Sequence, residues 1–216
     1  MTTINHCEEL HRMMNYLKRL KFPFNTGDIP LNGIYILFQK GEKAHGADRI
    51  VRIGTHTGKD QLRSRLWQHF VNENKDRSIF RKNIGRALLN KDSNPFLKYW
   101  EMDLTTKEMR EKNMKDLDME KQKLIENKVT RYLQDNFSFV VLRIDDKSRR
   151  LELESKMIST VSSCKDCKAS KDWLGNHSPK DKIKESGLWL VNELYKEPLD
   201  DKDMEFLKNM TKQETI

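Results

Sequence analysis

Two short runs of β-branched and aromatic residues constrain the fold more than any other feature of the chain: Gly33-Ile34-Tyr35-Ile36-Leu37-Phe38 and Arg49-Ile50-Val51-Arg52-Ile53-Gly54. Such side chains suit a pleated, half-buried surface, and the polar stretch between them carries Gly41 and Gly46, so the spacing predicts a hairpin. A third run, Phe137 to Ile144, is apolar enough for a central strand. Leu10, Met13, Met14, Leu17 and Leu20 recur at helical spacing between Ile4 and Leu20, and Leu62, Leu66 and Phe70 make one stripe of a second helix. Further helices are expected from Ile79 to Leu89, from Leu151 to Val161 and around Asp201 to Met210. Residues 105–134 read as one long helix or two, Phe96 to Met102 as a short strand, and Ser186 to Val191 as a strand or packed segment closing the core. The class is α/β: a small, mostly antiparallel three-stranded sheet flanked by helices, with helical insertions.

Charge narrows the partners. Charged residues make up 34% of the 216 positions and the net charge is +8, which favours a polyanionic partner. Between Lys59 and Lys91 stand nine Lys or Arg against three acids, so this window reads either as a solvated helical surface or as a stripe for a phosphate backbone. Three cysteines make no disulfide framework, Met1 to Asn15 is too polar for a signal peptide, and no apolar run reaches membrane-spanning length. A reducing cytoplasm is the expected location. A zinc site on Cys164-x-x-Cys167 needs four ligands, and with no second pair Cys7 and His177 would have to complete it; the two read instead as ordinary thiols.

Two helices carry candidate chemistry. Arg65 and His69 lie one turn apart on the shoulder of the Leu62 stripe, at the rim of whatever that helix covers. On the later helix, with Glu154 at 0°, Val161 falls near about −20°, Ile158 near +40°, Leu151 near +60° and Met157 near −60°. Glu154 is therefore expected at the centre of the apolar arc, where a carboxylate is costly unless a cation or hydrogen bonds compensate it. The alternatives are an ion pair with a core arginine and ligation of a metal.

In order, Gly33-Ile34-Tyr35, a second strand ending in Gly54, Leu62-x-x-Arg65-Leu66-x-x-His69 and Glu154-x-x-Met157-Ile158 resemble the GIY-YIG nuclease superfamily, over roughly Leu31 to Asn192. Arg52-Ile53-Gly54 stands where the family usually has Tyr-Ile-Gly. Arg52 to His56 and Trp173 to Asn176 are worded like a branch of bacterial members. The resemblance implies an endonuclease that hydrolyses phosphodiester bonds of nucleic acid, double-stranded DNA foremost. It implies Tyr35 as general base, Arg65 on the phosphate, Glu154 as ligand of a single Mg²⁺ or Mn²⁺, and His69 orienting Tyr35, relaying its proton or contacting phosphate. Asn176 would complete the site, and Arg52, unable to act as a base, would bind phosphate or favour the tyrosinate. His56 could share the role of the missing second tyrosine. Because of Arg52, a catalytically silent nucleic-acid-binding module on the same fold is the alternative. The nuclease domain is expected over residues 31–198 with a helical insertion at 75–135, an N-terminal helical extension at 1–30 and a tail helix at 199–216.

Overall fold

The computed structural model describes residues 5–213. Strands β1 (Leu20–Lys21), β2 (Gly33–Ala44), β3 (Ala47–Gly54) and β4 (Phe137–Arg143) form one antiparallel sheet in the order β1-β4-β2-β3. The sheet thus has four strands, not three. The extra one is a two-residue edge, Leu20 against Phe139 and Lys21 against Ser138, too short to leave a periodic signal. The hairpin forms, but its polar stretch is no open loop. The strands run on to Ala44 and Ala47 and turn only at His45 and Gly46, both left-handed (φ 52° and 73°), the backbone that matches the twist of a two-residue hairpin. An irregularity between Phe38 and Lys43 takes up the register shift.

Nine α-helices are seen among the described residues: α1 (His6–Tyr16), α2 (Leu62–Phe70), α3 (Ile79–Lys91), α4 (Leu97–Trp100), α5 (Lys107–Asn113), α6 (Met119–Asn136), α7 (Lys147–Ser162), α8 (Asp181–Ser186) and α9 (Asp201–Gln213). The stretch from Phe96 to Met102 is the helical turn α4 rather than a strand. Trp100 pins it, buried with its indole N–H on the Lys82 carbonyl at 3.0 Å. Residues 186–191 add no strand, yet the Trp189 N–H donates to the Val51 carbonyl (2.8 Å) on the free edge of β3.

The two sheet faces bury separate cores. Tyr35, Leu37 and Val51 pack with Leu62, Leu66 and Phe70 of α2, Phe80 and Ile84 of α3, and Val129 and Leu133 of α6. Ile34, Ile36, Phe38, Ile53 and Val140 pack on the other side with α1, with Leu153, Met157, Ile158 and Val161 of α7, and with Met204 and Leu207 of α9. Each such side chain contributes about 1.5–3 kcal/mol on burial, so residues 75–135 form a large part of what holds the Tyr35 face together.

The basic window is only partly a surface. Lys75 and Arg81 are buried, Arg81 on Glu126 (2.8 Å) and Lys75 on Asp76 (2.8 Å); Arg86 is buried against Glu101, and Lys82 reaches Asp76 (3.3 Å). Four of the nine cations are therefore neutralised within the fold and cannot form a continuous backbone-binding stripe. Composition counts charges but does not show which ones find internal partners. Among the described residues, no helix is long and apolar enough to cross a membrane.

Candidate functional site

The site is built around the end of β3. Gly54 lies directly opposite Tyr35 in the β2–β3 ladder, and a Cβ at residue 54 would collide with the Tyr35 hydroxyl and ring. A glycine there is what lets the tyrosine lie flat across the strand end. Tyr35 is fully buried, and its hydroxyl meets His69 Nε2 at 2.8 Å. His69 belongs to the interior rather than to a helix shoulder: it has no exposed surface, and Phe80 packs edge-on at 5.5 Å. Its Nδ1 lies 2.7 Å from Ser78 Oγ, the oxygen that also caps α3 by accepting the Arg81 N–H. Burial, reinforced by the positive charges of Arg65, Arg52 and Arg81, holds His69 well below its usual pKa, so the imidazole is neutral. A neutral ring donates through one nitrogen and accepts through the other. The arrangement that serves every partner has Nδ1–H donating to Ser78 and Nε2 accepting the Tyr35 hydroxyl proton.

Arg65, half-buried on α2, donates from Nη1 to the Arg77 carbonyl (3.1 Å). It lines a shallow cavity of about 270 Å³ with Thr55, His56, Thr57 and Gln68. His56 donates from Nδ1 to the Gly58 carbonyl (2.6 Å), and its buried Nε2 has no hydrogen-bond partner among the described residues. Arg52 is buried, gives an N–H to the Trp189 carbonyl, and stacks 5.0 Å from the Phe80 ring centre. It lines a second cavity of about 440 Å³ with Asn83, Glu154, Ile158, Asn192 and Glu193.

Glu154 lies on the buried face of its helix: Arg150, Met157 and Val161 to one side and Ile158 to the other are all buried, while Glu154 itself is half-buried and lines the cavity. No ion pair to it occurs within 4 Å among the described residues, which removes the core salt bridge as an explanation. Burial pushes its pKa up to about 7, against the pull of the Arg52 guanidinium and the Thr55 N–H. Thr55 lines the basin of Arg65, its hydroxyl donating to the Gly33 carbonyl (2.7 Å). Half-buried carboxylate, open space and no paired cation together make a site that a divalent ion fits.

Tyr35, His69, Arg65, Arg52 and Glu154 thus lie around one strand end. Asn176 does not join them. It is exposed, its side-chain amide donates to the Ser170 and Lys171 carbonyls (2.9 and 3.0 Å), and it lines a different cavity near Cys164. The compact turn Leu174–His177 directs it there, and Asn83 and Asn192 are the asparagines that line the Glu154 cavity. Sequence reasoning missed Ser78 and Asn192. Ser78 carries the signature of a helix N-cap, but its contact with His69 arises only when α3 folds back on α2.

A family model described as a GIY-YIG domain matches residues 3–215. No curated protein and no solved structure matches the chain.

Proposed function

The chain belongs to the GIY-YIG domain family, whose members are generally endonucleases, and from that premise and the geometry above we propose that it hydrolyses phosphodiester bonds of DNA with the help of a divalent metal ion. The observation that carries this reading is Glu154: a carboxylate turned into an open cavity beside Arg52, with no ion pair of its own. A buried acid left in that condition costs stability, and a cation would relieve it.

In the proposed reaction Glu154 would hold Mg²⁺ or Mn²⁺, with Asn192 and Glu193 on the same cavity wall. When bound, such an ion neutralises charge building on the phosphate. Arg65 offers its guanidinium fork to a phosphate oxygen from the neighbouring basin. Tyr35 takes a proton from the attacking water after giving up its own toward His69 Nε2. Arg65, Arg52 and Arg81 stand close enough to depress His69. That positive field also opposes a lasting imidazolium, so His69 holds the Tyr35 proton only until Tyr35 has passed the water proton to the leaving oxygen and takes its own back, with Ser78 fixing the tautomer.

Two observations favour the alternative, a silent nucleic-acid-binding module: Tyr35 has no exposed surface, and Arg52 is engaged by the Trp189 carbonyl and the Phe80 ring. Incubating plasmid with the protein and Mg²⁺ or Mn²⁺, beside Glu154→Gln and Tyr35→Phe, separates the two. Metal-dependent nicking lost in both variants is expected. Salt-sensitive DNA binding with no cleavage by any of the three would establish the module instead.

A further inference from the structure

All three cysteines of the chain converge where the site above does not reach. Cys7 lies in the first turn of α1, and Cys164 and Cys167 in the turn that follows α7, where the Cys167 N–H returns to the Cys164 carbonyl (3.4 Å). Two histidines meet them. The ligating atoms of Cys7, His11, His45 and Cys167 all lie within 4.8 Å of one another, and Cys164 Sγ is 3.5 Å from His45 Nε2. A tetrahedral zinc ion with ordinary Zn–S and Zn–N bonds sets its ligand atoms roughly 3.3–3.8 Å apart, so these donors are already at near-ligand spacing.

Five donors surround a space that needs four, and hydrogen bonding sorts them. His11 is fully committed: its Nδ1 faces the Cys7 carbonyl at 2.8 Å, and its Nε2 accepts the Ile50 N–H at 3.1 Å, closing the free edge of β3. An imidazole with N–H used on one side and lone pair on the other has nothing left for a metal. His45 is the opposite case. It occupies a left-handed position (φ 52°) in a two-residue turn where Asn or Gly is the usual residue, and its ring points back to the sulfurs. His177, in contrast, is exposed on another turn and does not approach.

We propose that Cys7, His45, Cys164 and Cys167 bind one structural Zn²⁺, clamping α1, the β2–β3 turn and the exit of α7 to each other. These segments are far apart in sequence, so the ion closes long loops and its binding energy becomes folding energy. Four protein ligands leave no open position, which marks the ion as structural rather than hydrolytic. The proposal is independent of the metal at Glu154, more than two helical turns away along α7.

The test uses the full chain purified under reducing conditions without chelator. Elemental analysis should find one zinc per chain, and Co²⁺ replacement should give thiolate charge-transfer bands with the intense visible bands of a tetrahedral ion. Cys7→Ser, Cys164→Ser, Cys167→Ser and His45→Ala should each lower zinc affinity by at least about tenfold, whereas His11→Gln and Glu154→Gln keep the stoichiometry. A strong chelator should lower the melting temperature of the wild-type protein, a measurement that needs no variant to fold. Wild-type protein that binds neither zinc nor cobalt while its three thiols react freely would overturn the proposal, as would a disulfide among them. Loss of zinc in His11→Gln with retention in Cys164→Ser would overturn the ligand set.

Discussion

Glu154→Gln probes the candidate site through stability, with no substrate required. In the folded protein the carboxyl is pushed up to about 7 from an ordinary value of 4.5, mainly by burial. An acid held above its unfolded value binds its proton more tightly when folded. Stability from this group is therefore complete below about 4.5 and declines as pH rises to about 7. The difference between 4.5 and about 7, at about 1.4 kcal/mol per pH unit, places the decline at about 3 kcal/mol. Glutamine keeps the shape without the charge, so the variant should show no such decline. Urea unfolding at fixed ionic strength should find the two proteins alike near pH 4.5 and the variant more stable by up to about 3 kcal/mol at pH 8. His69 also titrates differently folded and unfolded. Its neutral form loses stability as pH falls below the ordinary 6.5, but this is common to both proteins and cancels in their difference. Mg²⁺ at pH 8 should then stabilise the wild type alone, by about 2.7 kcal/mol at a hundred times its Kd. If the stability difference stays flat from pH 4.5 to 8, Glu154 is not an uncompensated buried acid and the reasoning fails.

Ser78→Ala removes both the α3 cap and the His69 Nδ1 partner. It should cost about 1–2 kcal/mol in chemical denaturation and lower cleavage further than Ser78→Thr, which keeps the hydroxyl. Gly54→Ala drives a methyl into Tyr35; cleavage should fall at least about tenfold while DNA affinity holds, since the change moves the hydroxyl and touches no cation. Unchanged turnover in that variant would count against a catalytic Tyr35.

How much of this was legible in the sequence depends on the range of the interaction. The hairpin, the α2 stripe and β4 follow from periodicity alone, because alternation and helical spacing are local. β1 is two residues of edge pairing and carries no period. The cavity in front of Glu154 is walled by Arg52 and by Trp189 to Glu193, far from it along the chain, so no helical period reveals it. Arg81 reads as a surface cation until Glu126, 45 residues away, accepts its guanidinium. The cysteines illustrate the limit best. Cys164-x-x-Cys167 is visible as a half-site, but His45 becomes a candidate partner only because a ten-residue polar stretch proves to be two strands and a tight turn.

Arg52 stands where the sequence resemblance implies a tyrosine, and the geometry gives the arginine a coherent part in the proposed chemistry. A guanidinium cannot take a proton from water, but it lines the Glu154 cavity and contributes to the field that keeps His69 neutral. A second tyrosine could position the first by a hydrogen bond; here His69 and Ser78 already do so from the interior side. What Arg52 adds is positive potential between carboxylate and tyrosine. That potential partly offsets the desolvation of Glu154. On this argument Arg52→Lys should retain much of the activity. Arg52→Tyr should lose activity although it installs the residue the sequence resemblance implies there, because removing the cation leaves the acid at residue 154 harder to ionise. Plasmid nicking by the two variants, measured side by side across pH 6 to 9, decides it: a fully active Arg52→Tyr would show that the arginine is a tolerated replacement rather than a working part.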